Sequence, residues 1–442
     1  MAKLRWSNRL SFIITASAFA VGLGNIWRFP YIAGEGGGGV FLLVYLMMIF
    51  TVAMPIVLIE MALGRMSGTT PLLGYEKLSQ RPIWNGIGWL GITGSLLIMG
   101  YYVMILAWIV FYFWESISGN IAEIEVNMLS NHFDLVVSNI SIIIAIVLVI
   151  MLLAFLIIRR GLHSGLERYS KIMMYGLFAM LLGLAIWAST LDKALEGYKW
   201  FLYPDLSKFS FSVIVSALGQ LFFSVGVGMA VSFVFGSYTS KKENLVTSVG
   251  WIVIADTLIA ILAGLMIFPA LFSFDLAPDS GPNLIFVTMA SIFNDLAYGS
   301  WIGSIFFFLL FLAGFTSLLS AVQGIKDSLN DKFDLSVNQG LWIATGLIFL
   351  ISIPVVLSYV EDPVIVFGMH TFDLLDYVTN NVMLPLGGFL IVIFAGYVIG
   401  FEKLVTHIHH GSENITIAPF WKIMLKWLIP IAVIVILLNG LT

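Results

Sequence analysis

Eleven apolar stretches govern what this chain can fold into. They fall near residues 10–33, 40–64, 87–115, 137–158, 170–190, 209–236, 246–273, 299–325, 340–359, 377–400 and 421–440. A helix needs about 20 such residues to cross a bilayer core of about 30 Å. In that medium each backbone amide and carbonyl has to be satisfied internally, which leaves helix as the conformation for every stretch. The expected fold class is all-α integral membrane, with 11 transmembrane helices, numbered here as segments 1 to 11. Charged residues make up only 10% of the chain, against about 25% in a soluble domain, so the bilayer is the expected surrounding. The connecting loops are short and leave no room for a soluble domain. A net charge of -4 gives no reason to expect nucleic acid, and no obligate protein partner is evident. The chain contains no cysteine, which excludes disulfide and thiolate-metal chemistry.

Charge placement predicts orientation. With the N-terminus in the cytoplasm, seventeen of the 21 Lys and Arg residues fall on the cytoplasmic side; Lys193, Lys199 and Lys208 fall outside and Arg28 lies within segment 1. This is the asymmetry of the positive-inside rule, and an odd number of helices puts the C-terminus outside the cell membrane. Ala18-Phe19-Ala20 has the form of a signal-peptidase site. The apolar run continues past it, so no cleavage is expected.

Segment 1 contains Gly22-Leu23-Gly24 and segment 6 contains Gly226-Val227-Gly228. Paired glycine interruptions five segments apart suggest two inverted five-helix repeats, 1–190 and 209–400, followed by an additional transmembrane helix at 421–442. Helices 1 and 6 would be discontinuous around a midplane binding site. Close packing of membrane helices accounts for the glycines equally well when they are taken alone.

Polar residues cluster at that same depth. Asn25 and Arg28 follow the glycines of segment 1, just before Pro30. Unwinding there would free carbonyls for a sodium ion and amides for a substrate carboxylate. An interhelical hydrogen bond for Asn25 and snorkelling for Arg28 are the alternatives. Segment 6 offers Gln220, Ser224, Gly226 and Gly228. Segment 7 holds Asp256, a carboxylate that is costly in lipid unless paired or bound to a cation. Thr316 and Ser317 of segment 8 are either hard oxygen ligands or donors to the preceding helical turn. A channel would need a continuous polar pore, and here the polar residues gather at one depth. A membrane-embedded enzyme would draw on His132, His163, His370, His407, His409 or His410, which scatter in or beside loops and form no helical metal pair.

The run Gly22-Leu23-Gly24-Asn25-Ile26-Trp27-Arg28-Phe29-Pro30-Tyr31, the stretch Glu35 to Gly39, and Gly219-Gln220 with Phe222-Phe223-Ser224 resemble the neurotransmitter:sodium symporter family in its short bacterial branch. The resemblance spans nearly the whole chain. It implies a symporter, not an enzyme, in which two sodium ions drive uptake of a hydrophobic amino acid. The first sodium site would comprise the Ala20 carbonyl, Asn25, Ser224 and Asp256, completed by the substrate carboxylate. The second would comprise carbonyls of Ala18, Val21 and Ala313 with the hydroxyls of Thr316 and Ser317. The substrate would lie against Ala20, Leu23, Gly24, Ile98, Tyr102, Phe223, Ser224, Gly226, Val227, Met229 and Ala321, with the Tyr102 hydroxyl on its carboxylate and Phe223 as a lid. Arg28 and Asp376 would close the outer gate. Lys3, Trp6, Tyr238 and Asp331 would form a cytoplasmic latch.

Four positions depart from the family pattern. Lys3 stands where Arg is usual and loses the bidentate fork. Asp256 stands where Asn is frequent. Segment 5 lacks the proline that bacterial relatives often carry near Tyr175. Chloride-dependent relatives hold the anion with a Tyr, a Gln and two Ser; here Tyr45, Gln220 and Ser224 are matched by Ala260 at the last place. Asp256 lies one turn before Ala260 on the same face, and its carboxylate could supply the negative charge. Monoamine carriers have Asp at the Gly22 position, so Gly22 implies a substrate that brings its own carboxylate. These features point to chloride-independent uptake of bulky or aromatic amino acids.

Overall fold

Helix occupies all eleven apolar segments in the computed structural model, which describes residues 4–277, 281–296, 298–360, 363, 365–411 and 420–441. Among the described residues, eight continuous helices are long and apolar enough to cross a membrane: Gly39–Ser67, Pro82–Ser118, Ile140–Ile158, Leu162–Ala188, Leu245–Ser273, Gly299–Phe333, Val337–Tyr359 and Thr371–His409. Segment 1 is a ninth in two pieces, Arg9–Ala20 and Gly24–Glu35, bent by 54°. Segment 6 is likewise broken, into Phe211–Ser224 and Val231–Ser237. Segment 11 runs through Phe420–Ile423, Met424–Leu428 and Ile429–Leu441.

The loops hold more structure than the sequence suggests. Short helices Pro71–Ser79, Leu129–Val137, Ala194–Leu202 and Thr288–Asp295 lie between segments. Ile365–Val366 pairs antiparallel with Met369–His370.

Burial separates core helices from peripheral ones. The most apolar window of Gly299–Phe333 is 83% buried, whereas that of Ile140–Ile158 is 33% buried. The latter displays Leu148, Val149, Leu152, Leu153 and Leu156. Such a patch would be an aggregation surface in water; in lipid it is the outside of the protein. Segment 8 packs along segment 3, and the broken segments 1 and 6 lie against them.

The breaks follow from local chemistry. After Ala20 the chain turns extended at Val21 (ψ 99°). The Gly22 amide then donates to Asn25 Oδ1 at 3.0 Å and the Leu23 amide to Tyr102 Oη at 3.3 Å. In segment 6, Gly226 (φ 64°) and Gly228 (φ 80°) adopt left-handed backbone, which glycine reaches without steric cost. Ser95 Oγ caps the freed Met229 carbonyl at 2.6 Å.

Candidate functional site

The two breaks face each other, and three side chains close the gap between them. Asn25 Nδ2 donates to Asp256 Oδ1 (2.7 Å) and to the Asp256 carbonyl (3.0 Å). Ser224 Oγ donates to the Asp256 carboxylate at 3.0 and 3.2 Å, and Tyr45 Oη reaches Oδ2 at 3.4 Å. Asn25 and Asp256 are fully buried. Asp256 has neutral hydrogen-bond donors but no Lys, Arg or His ion-pair partner among the described residues. A buried anion with neutral partners alone strongly favours a nearby cation. The surrounding donor set is hard oxygen, which suits an alkali ion.

A second oxygen-rich patch lies where segment 8 meets the same break. Thr316 Oγ1 donates to the Ala313 carbonyl at 2.9 Å, and Ser317 Oγ to the carbonyls of Phe19 (3.0 Å) and Ala313 (3.4 Å). In an unbroken helix the amides of Gly22 and Asn25 would pair with the carbonyls of Ala18 and Val21. Here they donate to Asn25 Oδ1 and to the Gly22 carbonyl instead.

Between these patches is a cavity of about 30 Å³, lined by Phe19, Ala20, Gly22, Gly24, Ile98, Met99, Tyr102, Phe223, Ser224, Gly226, Met229 and Ser317. Eight of the eleven residues expected around a substrate line it. Leu23 instead faces a neighbouring cavity. Val227 is buried, with Cγ1 beside Gly388, and Ala321 is buried without lining the cavity. Gly22, which the sequence reading used to infer the substrate's carboxylate, lines the wall as well; Phe19, Met99 and Ser317 are wall residues that the sequence reading assigned no place at the substrate. Phe19 sits one position before Ala20, which gave a signal by proximity.

The neighbouring cavity, about 100 Å³, is lined by Leu23, Trp27, Arg28, Tyr31, Tyr101, Tyr102, Ile105, Phe223, Phe372 and Asp376. Phe223 and Tyr102 line both cavities and form the wall between them. The expected gate residues Arg28 and Asp376 share this space without a direct ion pair. The Arg28 guanidinium lies 4.9 Å from the Phe223 ring centroid and reaches the Gly219 carbonyl at 3.4 Å. Asp376 Oδ1 accepts from Asn380 Nδ2 at 2.7 Å. A cation over an aromatic face is attracted to its quadrupole, and Arg28 rests on Phe223, the expected lid, rather than spanning to Asp376.

At the opposite end, Trp6 packs at a tilt against Phe12 and edge-on against Phe235 and Tyr238, and its Nε1 donates to the Phe235 carbonyl at 3.1 Å. Lys3 lies outside the described residues. The latch differs from expectation in its acid. Tyr238 Oη donates to Asp327, which also accepts from Gln323 and pairs with Lys326 at 2.9 Å. Asp331 is one turn further along segment 8 and accepts from Thr69 Oγ1 (2.8 Å) and the Thr70 amide (3.0 Å). Gln323, Asp327 and Asp331 recur every four residues and share a helix face, so the sequence signal for Asp327 was present.

Glu60 is another carboxyl in the interior, fully buried against the backbone at Gly228, Ala230 and Phe233. Segment 5 is regular at Tyr175 and departs from α-helix near its start. Gly161 takes φ 86° and Leu162–Glu167 is a wide π-turn, after which Arg168–Ala188 is regular. Glu167 is tied to the N-terminal end through Ser7, whose amide donates to Oε1 at 3.1 Å.

A match to the sodium:neurotransmitter symporter family covers residues 3–132 and 123–442, the breaks and both oxygen clusters included. The chain belongs to this family. It is a sodium-dependent, multi-pass membrane transporter, and its family is one of symporters, not enzymes. The symporter is 34% identical to an uncharacterized sodium-dependent transporter, YhdH, of Bacillus subtilis, over 99% of this chain and 97% of that protein. A sodium- and chloride-dependent taurine transporter of Canis lupus familiaris is 26% identical over 93% of this chain and 72% of its own length. Among solved structures, MhsT in complex with L-phenylalanine matches with a TM-score of 0.89 and 34% identity, covering 99% of this chain and 100% of that one.

Proposed function

We propose that this symporter imports hydrophobic amino acids, bulky or aromatic ones by preference, driven by two sodium ions and without need of chloride. The observation that carries this reading is the meeting of Asn25, Ser224 and Asp256 at the wall of the Tyr102–Phe223–Met229 cavity. The first sodium ion binds at Asn25, Ser224, Asp256 and the Ala20 carbonyl, with the substrate carboxylate as a further ligand. Tyr102 Oη orients that carboxylate. The second ion binds the carbonyls of Ala18, Val21 and Ala313 with Thr316 and Ser317. Because ion and carboxylate touch, each strengthens the other's binding equally. Inward movement of one positive charge is favoured by about 2.3 kcal/mol per 100 mV.

The mechanism is alternating access. Eleven helices span the membrane as two inverted five-helix repeats plus a last helix, with the N-terminus in the cytoplasm and the C-terminus outside. Closure of Phe223, held by Arg28, seals the outer vestibule that also contains Asp376. Release of Trp6 and Tyr238 from their partners then opens the inner side. The bound L-phenylalanine of the MhsT structure and the apolar, Met-adaptable wall support the substrate class. Chloride independence is supported by the bonds that Tyr45 and Ser224 make to Asp256: two donors that hold the anion in chloride-dependent relatives already face a fixed carboxylate. The decisive experiment is uptake of labelled phenylalanine into proteoliposomes under an inward sodium gradient. Saturable accumulation that disappears when potassium replaces sodium is the expected result.

A further inference from the structure

Phe19 meets three functional regions at once. It is the penultimate residue of the helix Arg9–Ala20. It lines the candidate substrate cavity. Its carbonyl accepts from Ser317 Oγ of the second oxygen cluster at 3.0 Å. Its ring also meets the Phe235 ring edge-on, with centroids 6.1 Å apart at 75°. Phe235 in turn lies 5.2 Å from the Trp6 ring, and its carbonyl accepts the Trp6 indole N–H.

The ring has no slack on its other side. A Cβ built on Gly226 would fall 2.6 Å from Phe19 Cζ, so Phe19 lies directly against the segment 6 backbone. Interiors packed this closely transmit displacement instead of absorbing it. A cavity of about 30 Å³ has room for about two or three water molecules. A hydrophobic side chain entering it has to move a wall. Among the described residues lining the cavity, Phe19 is the one in ring contact with Phe235.

We propose that Phe19 relays the bulk of the substrate side chain to the inner latch: displacement of its ring shifts Phe235 and loosens the Trp6–Tyr238 cluster, so large substrates trigger inward opening more strongly than small ones. This rests on the amino-acid substrate proposed above. Phe19 is here a positioning residue for the transport cycle, and the Phe19–Phe235 contact is the coupling element. Side-chain bulk thereby becomes a determinant of turnover as well as of affinity.

The absence of cysteine gives a clean test. Ser237→Cys, in the cavity beside Tyr238, supplies a single thiol whose maleimide labelling rate reports latch opening. In sodium, phenylalanine should raise that rate by about fivefold, the low end of ordinary site-to-site coupling, and alanine should raise it far less. In Phe235→Leu, which lies outside the cavity wall, sodium-dependent phenylalanine binding at equilibrium should persist while its effect on labelling falls below about twofold; in Phe19→Leu, which alters the wall itself, the labelling response should fall likewise when read at saturating phenylalanine. For Phe235→Leu, maximal transport rate should fall with little change in KM, and Phe235→Tyr should restore the response by restoring the ring. A full phenylalanine response surviving in both leucine variants would overturn the relay while leaving the substrate assignment intact. Failure of the parent protein to bind any hydrophobic amino acid would instead overturn the substrate assignment, and the relay with it.

Discussion

The side-chain amide of Asn25 bonds the carboxylate of Asp256 at 2.7 Å, joining the fracture in segment 1 to the unbroken helix of segment 7. The contact ties a carboxylate without a cationic side-chain partner to the backbone turn that exposes carbonyl oxygens.

Removing either partner is expected to disable sodium coupling. Asn25→Ala leaves Asp256 short of a donor, and Asp256→Ala removes the anionic ligand. Breaking a buried charged contact costs about 3 kcal/mol or more, which corresponds to at least about a hundredfold in sodium affinity. Sodium titration of phenylalanine binding measures this, and an unchanged midpoint in both variants would contradict the assignment.

The second cluster should respond more gently. Thr316→Ala combined with Ser317→Ala deletes two neutral hydroxyls, each worth about 1 kcal/mol. Sodium concentration dependence of uptake should shift about tenfold to thirtyfold, with the selectivity among amino acids retained. A shift in amino-acid preference without one in sodium dependence would place these hydroxyls elsewhere in the cycle.

Chloride replacement by gluconate should leave wild-type uptake unchanged, because Asp256 already supplies the negative charge beside Tyr45 and Ser224. Asp256→Asn with Ala260→Ser removes that charge and adds a hydroxyl one turn away. Uptake by this double variant should rise with chloride. A large loss in gluconate for the wild type would refute the charge argument.

Competition against labelled phenylalanine should rank tryptophan, tyrosine, leucine and isoleucine above glycine, GABA and dopamine. Tyr102→Phe keeps the ring but removes the hydroxyl that meets the Leu23 amide. It should weaken every amino acid alike, by about tenfold for one charge-assisted hydrogen bond. Selective loss for one side chain would show that Tyr102 reads the side chain instead of the carboxylate.

Much of this was legible in the sequence because the bilayer enforces it. Apolar length fixed where the helices lie, and glycines marked both breaks. Asn25, Ser224 and Asp256 stood out because polar groups in lipid need a reason. What escaped prediction depended on how helices lean on one another. Asp327 and Asp331 lie on one face one turn apart, and only packing decides which meets Tyr238. Phe19 carried no polar signal, and its importance comes from lying against both Gly226 and Phe235. Segment 5 is regular through Tyr175, and its π-helical turn at Leu162–Glu167 follows a positive-φ glycine and no proline, so nothing in the sequence marked it.

The satisfied backbone of the segment 1 break has a consequence for how the chain is made. The Leu23 amide finds Tyr102, the Gly24 carbonyl finds Gln220, and the Phe19 carbonyl finds Ser317. When segment 1 leaves the ribosome, none of these partners has been synthesised. An unwound turn in lipid would then hold unpaired polar groups at several kcal/mol each, so the nascent segment enters as one continuous helix. Its fracture awaits the later arrival of Gln220 and Ser317, and the ion-binding geometry is among the last features of biogenesis to form.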